Sequence, residues 1–196
     1  MRYVYLTGLV LMIAAQWYAP VSMIMDSERT IDEGNEYKFK TRPVDPTDPF
    51  RGKYITLSFD AETYKSDDTT ELKLEQYSTA YAEIGIDSGG YARVVKLLPA
   101  PPEHTPGYFP NDYLEVEFLY AYDGLATLKF PFQQFYLEES KASEAEQLYW
   151  QSRGDSSMVC YAKVKILNGD AKLVDVIVND SSIVDVVRRI NAGKEN

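Results

Sequence analysis

Residues 158–179 read MVCYAKVKILNGDAKLVDVIVN. Two runs rich in Val, Ile and other strand formers, 158–167 and 171–179, flank Asn168-Gly169-Asp170. Asn-Gly supplies the left-handed backbone that a type I′ turn needs, so this stretch predicts a β-hairpin. The same grammar recurs outward from it. Runs 79–86 and 91–98 flank Asp87-Ser88-Gly89-Gly90, and runs 113–122 and 125–130 flank Asp123-Gly124. Residues 37–40 alternate, and 133–138 is a further strand candidate. The run GKYITLSF at 52–59 places Ile55, Leu57 and Phe59 on one face and Tyr54, Thr56 and Ser58 on the other. The fold class is mainly antiparallel β. Two short helices interrupt it. Ser143-Glu144-Ala145-Glu146 has the form of a capping box and starts a helix to about residue 151. The second helix spans 182–192, with Ile183, Val186, Val187 and Ile190 as its apolar stripe and Gly193 as its stop.

A weak internal repeat is visible. Tyr81-Ala82-Glu83-Ile84-Gly85-Ile86 precedes one turn, and Tyr161-Ala162-Lys163-Val164-Lys165-Ile166 precedes another. Upstream, Pro49-Phe50 with Tyr54 matches Pro131-Phe132 with Tyr136. The repeat would divide the folded part into two similar β-units, 36–98 and 108–180, joined by the Pro-rich linker 99–107.

The N-terminus has a different character. Residues 3–25 read YVYLTGLVLMIAAQWYAPVSMIM and carry no charge. At about 1.5 Å rise per residue, a span of ~20 residues crosses a hydrocarbon core. Residues 1–25 therefore read as one transmembrane anchor, with Pro20 kinking its last turns or marking an early exit. A cleaved signal peptide competes. It needs small residues at −3 and −1 of the cut, and Trp17 with Ala19, or Ala14 with Gln16, does not supply them. Arg2 precedes the segment and Asp26-Ser27-Glu28 follow it, so the positive-inside rule exports residues 26–196. The expected topology is single-pass, with the C-terminal domain on the outer side of the membrane.

Composition narrows the functions. The chain has 196 residues, 30 Asp+Glu against 20 Lys+Arg, one His and one Cys. A net charge of −10 argues against nucleic-acid backbone binding. With Arg2 set aside, the exported part is 19 basic against 30 acidic, which points away from binding an anionic lipid surface. One His and one Cys exclude multi-His and multi-Cys metal sites and any disulfide within the chain. No metal site or cofactor is expected. Cys160 opens an apolar strand and reads as a buried small hydrophobe.

The distinctive motif is 42–59, RPVDPTDPFRGKYITLSF. Each Asp-Pro fixes φ at the Pro and holds its Asp extended. Asp45 and Asp48 therefore sit in a stiff lead-in loop that Arg51 can lock, and Gly52 frees the strand start. A loop that sets the register of the next strand competes with a partner- or ligand-binding loop. The stretch resembles the GDYXXLXY protein family of bacterial membrane-anchored proteins. There an N-terminal hydrophobic helix is followed by PVDPxDPFRGDYxxLxY. The match covers Asp45, Asp48, Arg51, Gly52, Tyr54 and Leu57. Lys53 stands where the family has Asp, and Phe59 where it has Tyr. The reversal at Lys53 speaks against any role that needs a carboxylate there. The resemblance implies an envelope location, a bacterial inner membrane with the domain on the periplasmic side, and often a neighbouring multi-span membrane protein, and it implies no reaction.

Candidate chemistry elsewhere is sparse. Glu115 and Glu117 share a strand face, a solvated-face pattern rather than a glycosidase pair. No Ca²⁺ loop occurs, and Asp87 and Asp112 are the weak candidates. No G-x-S-x-G elbow occurs, and no Ser-Lys spacing stands out. His104 falls in the Pro-rich linker. Tyr113 is in phase with Glu115 and Glu117. Leu114, Val116, Phe118, Tyr120 and Tyr122 form the opposite, core face, and exposure of several of these tyrosines would favour a protein interface. The expected function is that of a membrane-anchored exported accessory or binding protein with an integral-membrane partner. Its candidate contact residues are Asp45, Asp48, Arg51, Gly52, Lys53, Tyr54, Leu57 and Phe59. The rival is a cell-envelope hydrolase using carboxylates or a Ser-Lys site.

Overall fold

The structure, a computed structural model, describes residues 2–42, 54–65, 74–102, 112–136, 159–186 and 188. It opens with helix α1 (Arg2–Glu33). Strands follow as β1 (Asn35–Arg42), β2 (Tyr54–Thr56), β3 (Ser58–Phe59), β4 (Thr63–Lys65), β5 (Ser78–Ile86) and β6 (Ala92–Leu98). Then come β7 (Tyr113–Tyr122), β8 (Leu125–Lys129), β9 (Gln134–Tyr136), β10 (Cys160–Leu167), β11 (Asp170–Val178) and β12 (Ser181–Ser182). The first sheet runs β12-β11-β10-β1-β3 and the second β4-β8-β7-β5-β6, while β2 and β9 form a separate pair. The strand pairs are antiparallel.

The three hairpins expected from their turns are present as β5–β6, β7–β8 and β10–β11. Their alternating residues build one core. Phe39, Leu57, Phe59, Ile84, Leu114, Leu128, Val164 and Ile166 are almost wholly inaccessible and belong to a single buried cluster fed by both sheets. At its centre Phe39 meets Phe59, Phe130 and Phe132 with ring centroids 5.9, 5.5 and 5.1 Å away, in edge-to-face geometry.

The repeat hairpins are equivalent in register. Each carries a register shift after its third repeat residue, between Glu83 and Ile84 and between Lys163 and Val164. Tyr54 and Tyr136, matched upstream, are direct partners in β2–β9. The stretches 36–98 and 108–180 do not build one sheet each. Strand β1 pairs with the hairpin of the later stretch, and β7 with the hairpin of the earlier one. Local alternation says which face a strand buries, not which strand it will meet.

Several boundaries differ from expectation. The run 52–59 is not one strand. It breaks at Leu57, whose N–H donates to Gln133 O at 2.7 Å, and passes from β9 on one side to β1 on the other. Helix α1 neither exits at Pro20 nor ends at Met25. It continues to Glu33, because the end of an apolar run is not the end of its helical hydrogen bonding. The C-terminal helix begins after β12, with helical residues 183–186 and 188 described. Its Ile183 is buried and Val184 packs on the core. The helix expected at 143–151, most of the linker and His104 lie outside the described residues.

Candidate functional site

The motif divides sharply. Asp45, Asp48, Arg51, Gly52 and Lys53 lie outside the described residues, and Tyr54 is described by its pairing with Tyr136. Leu57 and Phe59 are core residues, 1% and 0% exposed. Phe in place of the family's Tyr suits that site, since a hydroxyl there would need a partner among phenylalanines. Glu62, just downstream, is buried and fully engaged. Its carboxylate accepts from Ser58 Oγ at 2.6 Å, Phe59 N at 3.1 Å and Gln133 Nε2 at 2.7 Å. It braces the strand break rather than facing a substrate.

The other candidate groups are also consumed structurally. Asp87 closes its turn by accepting from the backbone of Gly89 and Tyr91. Asp112 accepts from Asn35 Nδ2 at 2.8 Å and Tyr37 Oη at 3.0 Å, tying the start of β7 to β1. Burial and the neighbouring Asp112 carboxylate push the Tyr37 phenol up to about 12. Cys160 is buried, and burial pushes its thiol up to about 11, so it is a small hydrophobe and not a nucleophile. Among the described residues no group of three or more His, Cys, Asp or Glu could hold a metal ion.

Two places remain. The first is the joint between α1 and the β domain. Thr30, 2% exposed, has its Oγ1 3.0 Å from both Asp26 O and Asp170 Oδ2, and its single proton is shared between them. Gly34 ends the helix with its N–H on Thr30 O at 3.1 Å, and Lys165 Nζ donates to Gly34 O at 2.9 Å. A Cβ on Gly34 would lie 2.4 Å from Thr30 O and 3.0 Å from Ile166 O, so no larger residue fits this crossing. The apolar part of α1 is long enough to cross a membrane and is not buried against the domain.

The second is a groove of about 880 Å³ on the outer face of the second sheet. Its floor carries Tyr81, Tyr113, Glu115 and Glu117, and the turn at Asn168–Asp170 forms one wall. That turn is hooked over β7. Glu115 N donates to Gly169 O at 3.1 Å, and Tyr113 Oη donates to Asn168 O at 3.2 Å. Glu115 and Glu117 share the solvent face, as expected, and Glu117 pairs with Lys129 at 2.9 Å. Asp170 is held by Thr30 and by Lys172 at 3.2 Å. Among the described residues Glu115 has no side-chain partner, so of the groove's three carboxylates it alone stands unpaired, between tyrosines.

Tyr120 and Tyr122 correct the expected core face. Leu114, Val116 and Phe118 are buried, but the ladder shifts between Phe118 and Tyr120. The extra residue inverts the phase, so Tyr120 and Tyr122 pair with Thr127 and Leu125 on the outer face, 49% and 80% exposed. Simple period-two reading misses a bulge that no turn residue announces.

The GDYXXLXY protein family matches residues 16–176, and the chain belongs to that family. No curated protein and no solved structure matches the chain.

Proposed function

We propose, from that family membership and the joint at Thr30, that this is an exported accessory protein held to the membrane by α1 and working with an integral-membrane partner. The observation that carries the reading is the continuity of α1. Its apolar turns stand clear of the domain, while its last turns are locked to β10 and β11 through Thr30, Gly34 and Lys165. A flexible linker would decouple anchor from domain; a locked helix transmits the position of one to the other. The charge flanks of the segment support export of the domain, and the motif residues Asp45 and Asp48 are the second expected contact with the partner.

Purification of the tagged full-length chain from native membranes after gentle solubilisation is expected to recover a reproducible integral-membrane partner. Crosslinkers placed between Asp45 and Arg51 are expected to capture the same protein. A clean monomer from both experiments would sink the reading. Protease added outside intact spheroplasts is expected to digest the β domain; full protection there would reverse the orientation.

A further inference from the structure

We propose that the tyrosine-bearing outer face of the second sheet is a docking surface for a lysine- or arginine-bearing polypeptide segment. The identity of that segment as part of the membrane partner rests on the function proposed above; the chemistry of the face does not.

Tyr81, Tyr113, Tyr120 and Tyr122 project from this face, and Tyr77 stands at the groove rim, five of the 16 tyrosines in the chain. Tyrosine offers a large, rigid, amphipathic contact with few side-chain torsions to freeze, which suits it to interfaces. Tyr77 is held at the groove by its backbone. Of the five non-glycine residues at positive φ among those described, four are Asn or Asp, and the fifth is Tyr77 at φ 62°. A bulky residue is costly in that conformation, and Tyr77 is 67% exposed, so it gains little burial in return. The turn Glu75–Ser78, closed by Ser78 N on Glu75 O at 3.1 Å, sets this backbone, and Tyr77 N on Phe118 O at 2.7 Å fixes the ring beside the groove.

Charge selects the ligand. Glu115 lies directly across from Tyr81 and two residues along the strand from Tyr113, whose rings meet edge-on with centroids 6.3 Å apart. A cation seated on Glu115 would have these two rings as neighbours as well as a carboxylate. Glu83 lies opposite Tyr113 on one side and Lys96 on the other, so the charge that selects the ligand rests on Glu115. An anionic ligand would meet these groups in a chain of net charge −10. A neutral glycan would use the ring faces but would leave Glu115 desolvated without a counter-charge. The groove floor is mid-sheet, with β7 bonded on both sides, so recognition runs through side chains and not through an added strand.

The test uses the full-length protein in detergent with a fluorescent decapeptide of alternating Lys and Gly, its Glu-Gly counterpart, and chitohexaose as a neutral glycan. Binding of the Lys-Gly peptide is expected to weaken with added salt. It is expected to fall about fivefold in Glu115→Gln, which alters no packing, and about as much in Tyr81→Ala. Glu36→Gln, on the first sheet, is expected to leave it unchanged. Equal losses in Glu36→Gln and Glu115→Gln, equal binding of the Glu-Gly peptide, or binding of chitohexaose alone would each overturn the docking surface. Partner recovery separates the two proposals. If the wild-type chain recovers no partner while the peptide still binds through Glu115, the accessory function fails and the surface stands. If Glu115→Gln recovers the partner as well as wild type does, the surface fails as its docking site and the accessory function stands.

Discussion

The outer faces of the two sheets share a backbone and differ in chemistry. Strands β11-β10-β1-β3 and β6-β5-β7-β8 run in the same order, and both hairpins shift register at the same repeat position. The repeat tyrosines mark the divergence. Tyr161 lies opposite Lys40, and Tyr81 lies opposite Glu115. On the first sheet Lys38 stands 5.5 Å over the Tyr161 ring and faces Lys163 across the ladder. On the second, the corresponding positions carry Tyr113 and Glu83. Inward, the two sheets agree: Phe39 and Leu114, Ala162 and Ala82, and Val164 and Ile84 are all buried. Burial holds the scaffold to one solution, while the solvent face tolerates either sign of charge and is free to take on binding.

The largest effect should come from the core that both faces share. Phe39→Ala removes a ring touching three other phenylalanines and is expected to cost about 3–5 kcal/mol, read by urea unfolding. Against a typical stability of about 5–15 kcal/mol this leaves a marginal domain. Tyrosine fluorescence from both faces should be lost together. A loss under about 1 kcal/mol, or two separate transitions, would mean that the sheets do not depend on one core.

A smaller effect should separate the two hairpin turns. Gly169 and Gly90 have φ of 93° and 82°, so an alanine is strained at either site. A Cβ at Gly90 meets nothing within 4 Å, whereas at Gly169 it would come within 2.8 Å of the Tyr113 ring. Gly90→Ala is expected to cost about 1 kcal/mol and Gly169→Ala about 2–3 kcal/mol. The second variant alone should perturb the near-ultraviolet tyrosine signal. Equal costs would show that the turn at Asn168 does not support the groove.

How much of this could be read in the sequence follows from which forces are local. Turns such as Asn168-Gly169 and the alternation of β10 are local, so the hairpins and most strand limits were legible within a residue or two. The exchange of strands between the two repeat stretches was not, because β1 meets β10 only through the collapsed core. The bulge before Tyr120 was hidden for a related reason. It depends on how β7 fits β8, and it puts two tyrosines expected in the core on the outer face beside the groove. The groove combines β5, β7 and a turn from the other sheet, a juxtaposition that no stretch of sequence displays. Of the motif, Leu57 and Phe59 resolve into core positions, and their alternation had already placed them on one face.

The subtlest test concerns the bond that ties the faces together. Tyr37 on β1 donates to Asp112 at the start of β7, and its phenol titrates at about 12 rather than its ordinary 10. The folded state therefore holds this proton where the unfolded state has released it. The corresponding stabilisation is complete below pH ~10 and is lost as pH rises from there through about 12. Cys160 acts with the same sign between its ordinary 9.0 and about 11. Wild type should lose stability across this alkaline window, read as a falling urea midpoint. Tyr37→Phe should be less stable at neutral pH by about 1 kcal/mol and should show a shallower alkaline decline, with Cys160→Ala removing the earlier part of the remainder. An unchanged slope in Tyr37→Phe would mean that the Tyr37–Asp112 bond does not couple the lysine-bearing sheet to the tyrosine-bearing one.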